Sequence, residues 1–271
     1  PPLMAHPQRV SLASLTPDST ALVTVCGREV RVFDWRSGRL RFAPIVMDDS
    51  PLRVSVSPDT GVLLVSTGGY RNGTFHELVS SFDLRTGAAH AARVPLPGPL
   101  TGMRFAPDGR RFVFWRYGEV GVRDAMTLAR VGTDRRFGPD DMAATFRRLY
   151  GERGSMRDET RKGTPVIDAA LATDGTTVDV LVRPSSRLNG RYTRLDIVSG
   201  RTLRNRELST AEALRLLPRG DEYEFVAWEP SGARCLDTLG RNRPLPMAGG
   251  DLLMAQAVSR DGRWFASTTT G

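Results

Sequence analysis

Five times along this chain an aspartate at a tight turn is followed, 16 or more residues later, by a second aspartate that closes an alternating strand. The pairs are Asp18 and Asp34, Asp59 and Asp83, Asp108 and Asp124, Asp174 and Asp196, and Asp221 and Asp237, with separations of 16, 24, 16, 22 and 16 residues. A unit that holds its length while its sequence drifts marks a repeat architecture, in which each supersecondary unit buries its apolar face only against its neighbours. The pattern constrains the fold strongly and names no ligand.

The first repeat shows the unit. Residues 10–15 read as a strand, and Thr16-Pro17-Asp18-Ser19 as a turn with Pro and Asp in favoured places. Residues 21–25 are rich in β-formers, Gly27-Arg28 turns the chain, and Val30-Arg31-Val32-Phe33 alternates with period two. Asp34 opens a turn that closes at Gly38, and residues 40–42 give a fourth, outer strand. Four short antiparallel strands recurring every 40–50 or so residues predict the blades of an all-β propeller. The blades are expected near 8–43, 52–97, 100–131, 164–206, 212–246 and 252–271, forming a single domain over 1–271. Six or seven blades are expected, the last one incomplete, because its second aspartate would fall past Gly271. In the fifth repeat, Ser209-Thr210-Ala211-Glu212 competes as a capping box for a short helix.

The runs Phe105-Ala106-Pro107-Asp108-Gly109-Arg110-Arg111-Phe112 and Val30-Arg31-Val32-Phe33-Asp34 resemble bacterial WD-repeat propellers and the related TolB-type repeat. The resemblance covers nearly all of the chain outside 133–163 and is specific for architecture rather than activity. Phe33 and Phe82 stand where the family usually has Trp, and the Gly-His pair typical of its eukaryotic members is missing. The resemblance implies a bacterial interaction module, of a kind often fused to kinase or signalling NTPase domains.

Composition removes other classes. No apolar run approaches the ~18 residues a membrane span needs, and no charged-then-apolar leader opens the chain. The start at Pro1-Pro2-Leu3 reads as a piece of a longer protein, with a further domain expected upstream. Cys26 and Cys235 fall in different repeats and read as buried, inert thiols, which leans toward a reducing, cytoplasmic setting. No Gly-x-Ser-x-Gly elbow, dinucleotide fingerprint or phosphate-binding Gly-Lys loop is present. His76-Glu77 begins like a zinc-protease motif, but Ser80 stands where the second His belongs. His6, His76 and His90 lie in separate segments, so no metal site, cofactor or catalytic residue is expected. The turn aspartates are read as local caps on backbone N–H groups.

Extra length and charge then point to a face. The turns between first and second strands, and between third and fourth, carry only tight Asp/Gly sequences, whereas the opposite end takes the insertions. The second-to-third loop of blade two is expected to be enlarged and to hold Tyr70, Arg71, Asn72 and Phe75. Blade three offers Arg116 and Tyr117 there, and blade four offers Arg183, Arg187, Asn189 and Arg191. Loops that depart from a repeat are where binding concentrates. The connection 133–163 carries a predicted helix, with Pro139, Asp140 and Asp141 at its start and Gly151 after its end. Its stripe of Met142, Phe146 and Leu149 suits packing on the propeller rim or docking of a partner.

The net charge is +8, and Lys162 is the only lysine, which leaves 37 of the 38 basic residues as arginine. Between Arg183 and Arg219 nine arginines face Asp196, Glu207 and Glu212, so most of the excess gathers in one blade. A solvated blade edge or an anionic partner explains it. Nucleic acid is disfavoured, because only Tyr192 is interleaved for base stacking. The resulting expectation is a non-catalytic interaction or sensor module with an acidic protein partner and no membrane contact. Its contacts would be Tyr70, Arg71, Arg116, Tyr117, Arg183, Arg187 and Arg191. The alternatives are a propeller accessory to an enzyme, of the peptidase-gating type, and a stand-alone propeller enzyme.

Overall fold

Short runs of Val, Leu, Phe and Thr between Asp-bearing turns extend because branched and aromatic side chains suit a pleated, packed surface. A computed structural model describes the chain at residues 4–59, 61–71, 74–91, 93–96, 99–137, 166–182, 190–208, 213–219, 222–229, 232–236, 242–244, 253–258 and 265–269. The predicted helix within 133–163, and the competing one at 209–212, lie outside the described residues apart from the opening stretch 133–137.

The described residues are all β. The first sheet is β1 (Val10–Leu15), β2 (Ala21–Cys26), β3 (Glu29–Asp34) and β4 (Ile45–Val46). The second is β5 (Pro51–Val56), β6 (Val62–Arg71), β7 (Thr74–Asp83) and β8 (Val94–Leu96). The third is β9 (Leu100–Phe105), β10 (Arg111–Arg116), β11 (Glu119–Asp124) and β12 (Arg130–Arg136). The fourth is β13 (Val166–Leu171), β14 (Thr177–Val182), β15 (Arg191–Asp196) and β16 (Thr202–Glu207). The fifth is β17 (Ala213–Arg219), β18 (Glu222–Glu229), β19 (Gly232–Leu236) and β20 (Asn242–Pro244). A sixth, two-stranded sheet pairs β21 (Leu253–Val258) with β22 (Phe265–Thr269). Neighbours in each sheet are consecutive in the chain, the meander of a propeller blade.

The chain divides into two units, one of Pro1–Arg116 with Gly121–Thr133, the other of Tyr117–Val120 with Asp134–Gly271. In the first unit the core lies between successive sheets. One cluster joins Val23, Val25, Val30 and Val32 of the first sheet to Leu63, Val65 and Phe82 of the second. Another joins Val62, Leu64 and Val79 of the second to Phe105, Phe112 and Phe114 of the third. The run Val62-Leu63-Leu64-Val65 therefore buries alternate side chains against opposite neighbours, so it is apolar throughout. In the second unit Ala170, Leu181, Tyr192 and Leu208 pack with Leu216 of the fifth sheet. The Ser81 hydroxyl adds a polar stitch, donating to the Ala125 carbonyl 44 residues away at 2.6 Å.

Two local expectations change. The outer strand of the first sheet is not 40–42: Leu40 makes one isolated bridge to Phe33, and pairing resumes only at Ile45 and Val46, opposite Val30 and Glu29. Pro44 lacks an N–H for the ladder, and Phe42 turns away to cover Gly87, where any Cβ would collide with its ring. The enlarged loop of blade two is also not a loop. β6 and β7 stay paired from Val62↔Asp83 through Tyr70↔Phe75 to Arg71↔Thr74, whereas the equivalent hairpin of the first sheet ends at Cys26↔Glu29. Blade two thus projects a two-stranded hairpin.

A bulge recurs near the start of the first strand in five sheets, between Val10 and Leu12, Pro51 and Arg53, Val166 and Asp168, Leu253 and Ala255, and opposite Arg116 in the third. An extra residue there bends the strand and raises its twist.

Candidate functional site

Each sheet has two ends, and they differ chemically. At one end lie the turns between first and second strands and between third and fourth, and aspartate holds both. Asp18 accepts from the Thr20 N–H and from both the Thr16 and Thr20 hydroxyls. Asp174 accepts from the Thr176 and Thr177 N–H groups. Asp34 accepts from the Ser37 N–H and hydroxyl, Asp83 from the Arg85 and Thr86 N–H groups, and Asp124 from those of Met126 and Thr127. Asp196 repeats the pattern with Val198 and Ser199.

These bonds act on the charged form. For Asp18, Asp83, Asp124 and Asp174 burial pushes the carboxyl up, but the donated hydrogen bonds together outweigh it and hold each below the usual carboxylate range. At Asp34 and Asp196 the backbone N–H groups of Ser37 and Ser199 are the main cause of the same lowering. Carboxylates so occupied are structural caps.

The other end carries the departures. Tyr70 and Arg71 sit at the tip of the projecting hairpin, at register positions opposite Phe75 and Thr74. Arg116 ends β10 and is half-buried, while Tyr117 follows it with 42% of its surface exposed. Arg191 opens β15, half-buried, between Val182 and Glu207 in the ladder. Arg183 and Arg187 lie outside the described residues. The described candidates are divided between the two units: Tyr70, Arg71 and Arg116 belong to the first, Tyr117 and Arg191 to the second.

Among the described residues four buried carboxylates, Glu77, Glu119, Asp168 and Asp179, escaped the sequence reading, and three of them tie strands together. Glu77 on β7 has no exposed surface; Oε2 accepts from the Leu100 N–H at 2.6 Å and Oε1 pairs with Arg53 at 3.2 Å. Asp168 on β13, 1% exposed, accepts from the Leu216 N–H at 3.0 Å, joining the fourth sheet to the fifth. Asp179 on β14 is fully buried, accepts from the Tyr192 hydroxyl at 2.5 Å and holds Arg194 through two bonds of 2.8 and 3.0 Å. Burial, and then the Asp179 charge, push the Tyr192 phenol well above its ordinary range. A charged residue at an inward position of an otherwise apolar strand, as in Val178-Asp179-Val180, was the available signal.

These groups are sealed rather than poised. Asp179 and Tyr192 have no exposed surface to meet a substrate, and Glu77 and Asp168 each hold a backbone N–H of the next sheet. Among the described residues no group of three or more His, Cys, Asp or Glu could hold a metal ion. No helix among them is long and apolar enough to cross a membrane. Among the described residues, this end shows the exposed Tyr117 in one unit and the paired β6–β7 hairpin in the other.

No protein-family model and no curated protein matches the chain. Solved structures do. Hydrazine synthase of Kuenenia stuttgartiensis superposes with a TM-score of 0.60 at 16% identity, over 93% of this chain and 71% of that one. A eukaryotic initiation factor gives 0.61 at 11% identity, over 99% and 62%. The β-propeller domain of Cps50 (Swd1) from Myceliophteria thermophila gives 0.64 at 13% identity, over 98% and 82%. At such identities the likeness establishes the fold, and with the four-stranded meanders it makes this chain a β-propeller.

Proposed function

We propose that this propeller is a non-catalytic interaction module that receives an acidic protein partner on the end of its blades where second and third strands join. The observation that carries the reading is the contrast between the two ends. At one, aspartate caps close every described turn; at the other, β6 and β7 run to ten residues each where β2 and β3 have six. Repeat architectures place such departures on their binding face. Tyr70, Arg71, Arg116, Tyr117, Arg183, Arg187 and Arg191 are the proposed contacts, tyrosine and arginine being the side chains that most often anchor protein interfaces. The resemblance to bacterial WD-repeat and TolB-type propellers supports a signalling context and an upstream fused domain, and the sparse, separated cysteines support a cytoplasmic setting.

Arg187→Glu with Arg191→Glu is expected to lower the thermal midpoint by only about 2–4 °C, a cost that comes from setting a second carboxylate opposite Glu207 at the half-buried position 191. The same pair should weaken binding of the native partner by about tenfold or more through charge repulsion. Affinity measured against the purified partner checks this, and unchanged affinity removes these arginines from the interface.

A further inference from the structure

We propose that the free edge of β16 is a second docking site, taking an extended acidic segment of a partner protein as a fifth strand of the fourth sheet. Outer strands offer unpaired N–H and C=O groups, and proteins keep them short or distorted to prevent unwanted pairing. Here β4, β8 and β20 have two, three and three residues. β12 has seven, but Gly132 in its middle takes φ of +69°, outside strand geometry. β16 has six residues and its distortion is confined to its start, where the register slips past Leu203; from Arg204 to Glu207 it runs regularly opposite Arg194 to Arg191, and Thr202, Leu203, Arg204 and Asn205 are all exposed.

The register says which donors are free to pair. The Leu208 N–H donates to the Gly190 carbonyl at 2.8 Å, and the ladder continues Arg191↔Glu207, Tyr192↔Arg206, Thr193↔Asn205 and Arg194↔Arg204. Bonded and non-bonded rungs alternate in an antiparallel pair. Hence the N–H groups of Arg206 and Arg204 point into the sheet, and those of Asn205 and Glu207 point out from its edge.

Charge selects the occupant. From Arg191 to Glu207 there are five arginines and two carboxylates; Asp196 is taken up by its turn and Arg194 by the buried Asp179, which leaves four arginines against Glu207. Arg204 and Arg206 share a face with Tyr192 and Arg194, two residues apart along the strand. A buried donor of Arg206, Nη1, has no hydrogen-bond partner among the described residues. An added strand with carboxylates at alternate positions would lie along that row. The same arginines repel a basic strand. Neither Asn205 nor Leu203 belongs to the rim surface proposed above, so either site can fail while the other stands.

The probe is a fluorescent octapeptide of alternating Glu and Val, capped at both ends, titrated with the full chain by anisotropy at low salt. Saturable binding is expected. It should weaken about tenfold for Asn205→Pro, which removes an outward donor while sparing the inward ladder, and at least about tenfold for Arg204→Glu with Arg206→Glu. The peptide N-methylated at alternate amides should bind about tenfold more weakly to the unaltered protein, which keeps the test decisive if the proline variant does not fold. Absent binding overturns the proposal. So does binding that salt abolishes but that survives both Asn205→Pro and N-methylation, since that is diffuse attraction. Concentration-dependent dimerisation lost in Asn205→Pro assigns the edge to a second copy of this chain and also overturns it.

Discussion

Asp179→Ala is expected to lower the thermal midpoint by about 10 °C, corresponding to a loss of about 3–5 kcal/mol for a chain of this size. The carboxylate is fully buried and satisfies the Tyr192 hydroxyl and two Arg194 donors at once. Removing it strands a phenol and a guanidinium whose side chain is only 20% exposed, and uncompensated buried donors are costly to leave. Asp179→Asn keeps an acceptor but not the charge, so a smaller loss is expected. Asp179→Leu combined with Tyr192→Phe and Arg194→Met should recover most of the stability, because an ion cluster replaced as a whole by apolar groups is often nearly neutral. Calorimetry of the three proteins checks the set. Equal melting of Asp179→Ala and the parent would mean that water reaches these groups and the packing of the fourth sheet is wrongly described.

Glu77→Ala is expected to cost about 3 kcal/mol and to act locally. Its side chain reaches from β7 to the first residue of β9, so it ties the second sheet to the third. The loss has two parts: the buried Leu100 N–H is orphaned, and Arg53 loses its 3.2 Å contact. Arg53 is 32% exposed and can turn to solvent, so the backbone donor carries most of the cost. Hydrogen exchange separates this from general weakening. The Leu100 amide and the start of β9 should lose protection first, while β14 and β15 in the other unit keep theirs. Glu77→Gln retains one acceptor and should show the same pattern at smaller amplitude. Uniform loss across all sheets would contradict a local tie.

The contrast between these carboxylates and the turn aspartates explains what could be read from the sequence. Asp18, Asp34, Asp124 and Asp196 bond N–H groups two or three residues away, so their role is written in the local sequence with its Pro, Ser, Thr and Gly neighbours. Strand positions were legible for the same reason, since alternation in Val30-Arg31-Val32-Phe33 is a local pattern. Glu77 and Asp168 bond partners 23 and 48 residues away in the next sheet, and nothing near them announces that partner. The hairpin of blade two was misread because Gly68-Gly69 looks like loop chemistry. In the fold Gly68 is a close approach: Leu52 and Phe75 lie within 2.7 Å of where its Cβ would stand, so only glycine lets them cover the strand. The recurring bulge was invisible, since it sets two residues against one across a ladder and needs the partner strand to be known.

For the candidate site, the sequence located the end of the blades where length varies but misjudged its form. A loop was expected at Tyr70 and Arg71, and a paired hairpin stands there. The difference matters for recognition, because a two-stranded projection is already ordered and loses less conformational freedom when a partner binds.

The most direct measurement uses Tyr117 and Met126, which flank β11 at its two ends and are 42% and 52% exposed. A photo-crosslinking benzoylphenylalanine is placed at each position in turn, and the protein is irradiated with its native partner. Crosslinks from position 117 and none from position 126 are predicted, since the first lies where second and third strands join and the second in an aspartate-capped turn. Crosslinks from position 126 alone would put the partner on the opposite end and contradict the account.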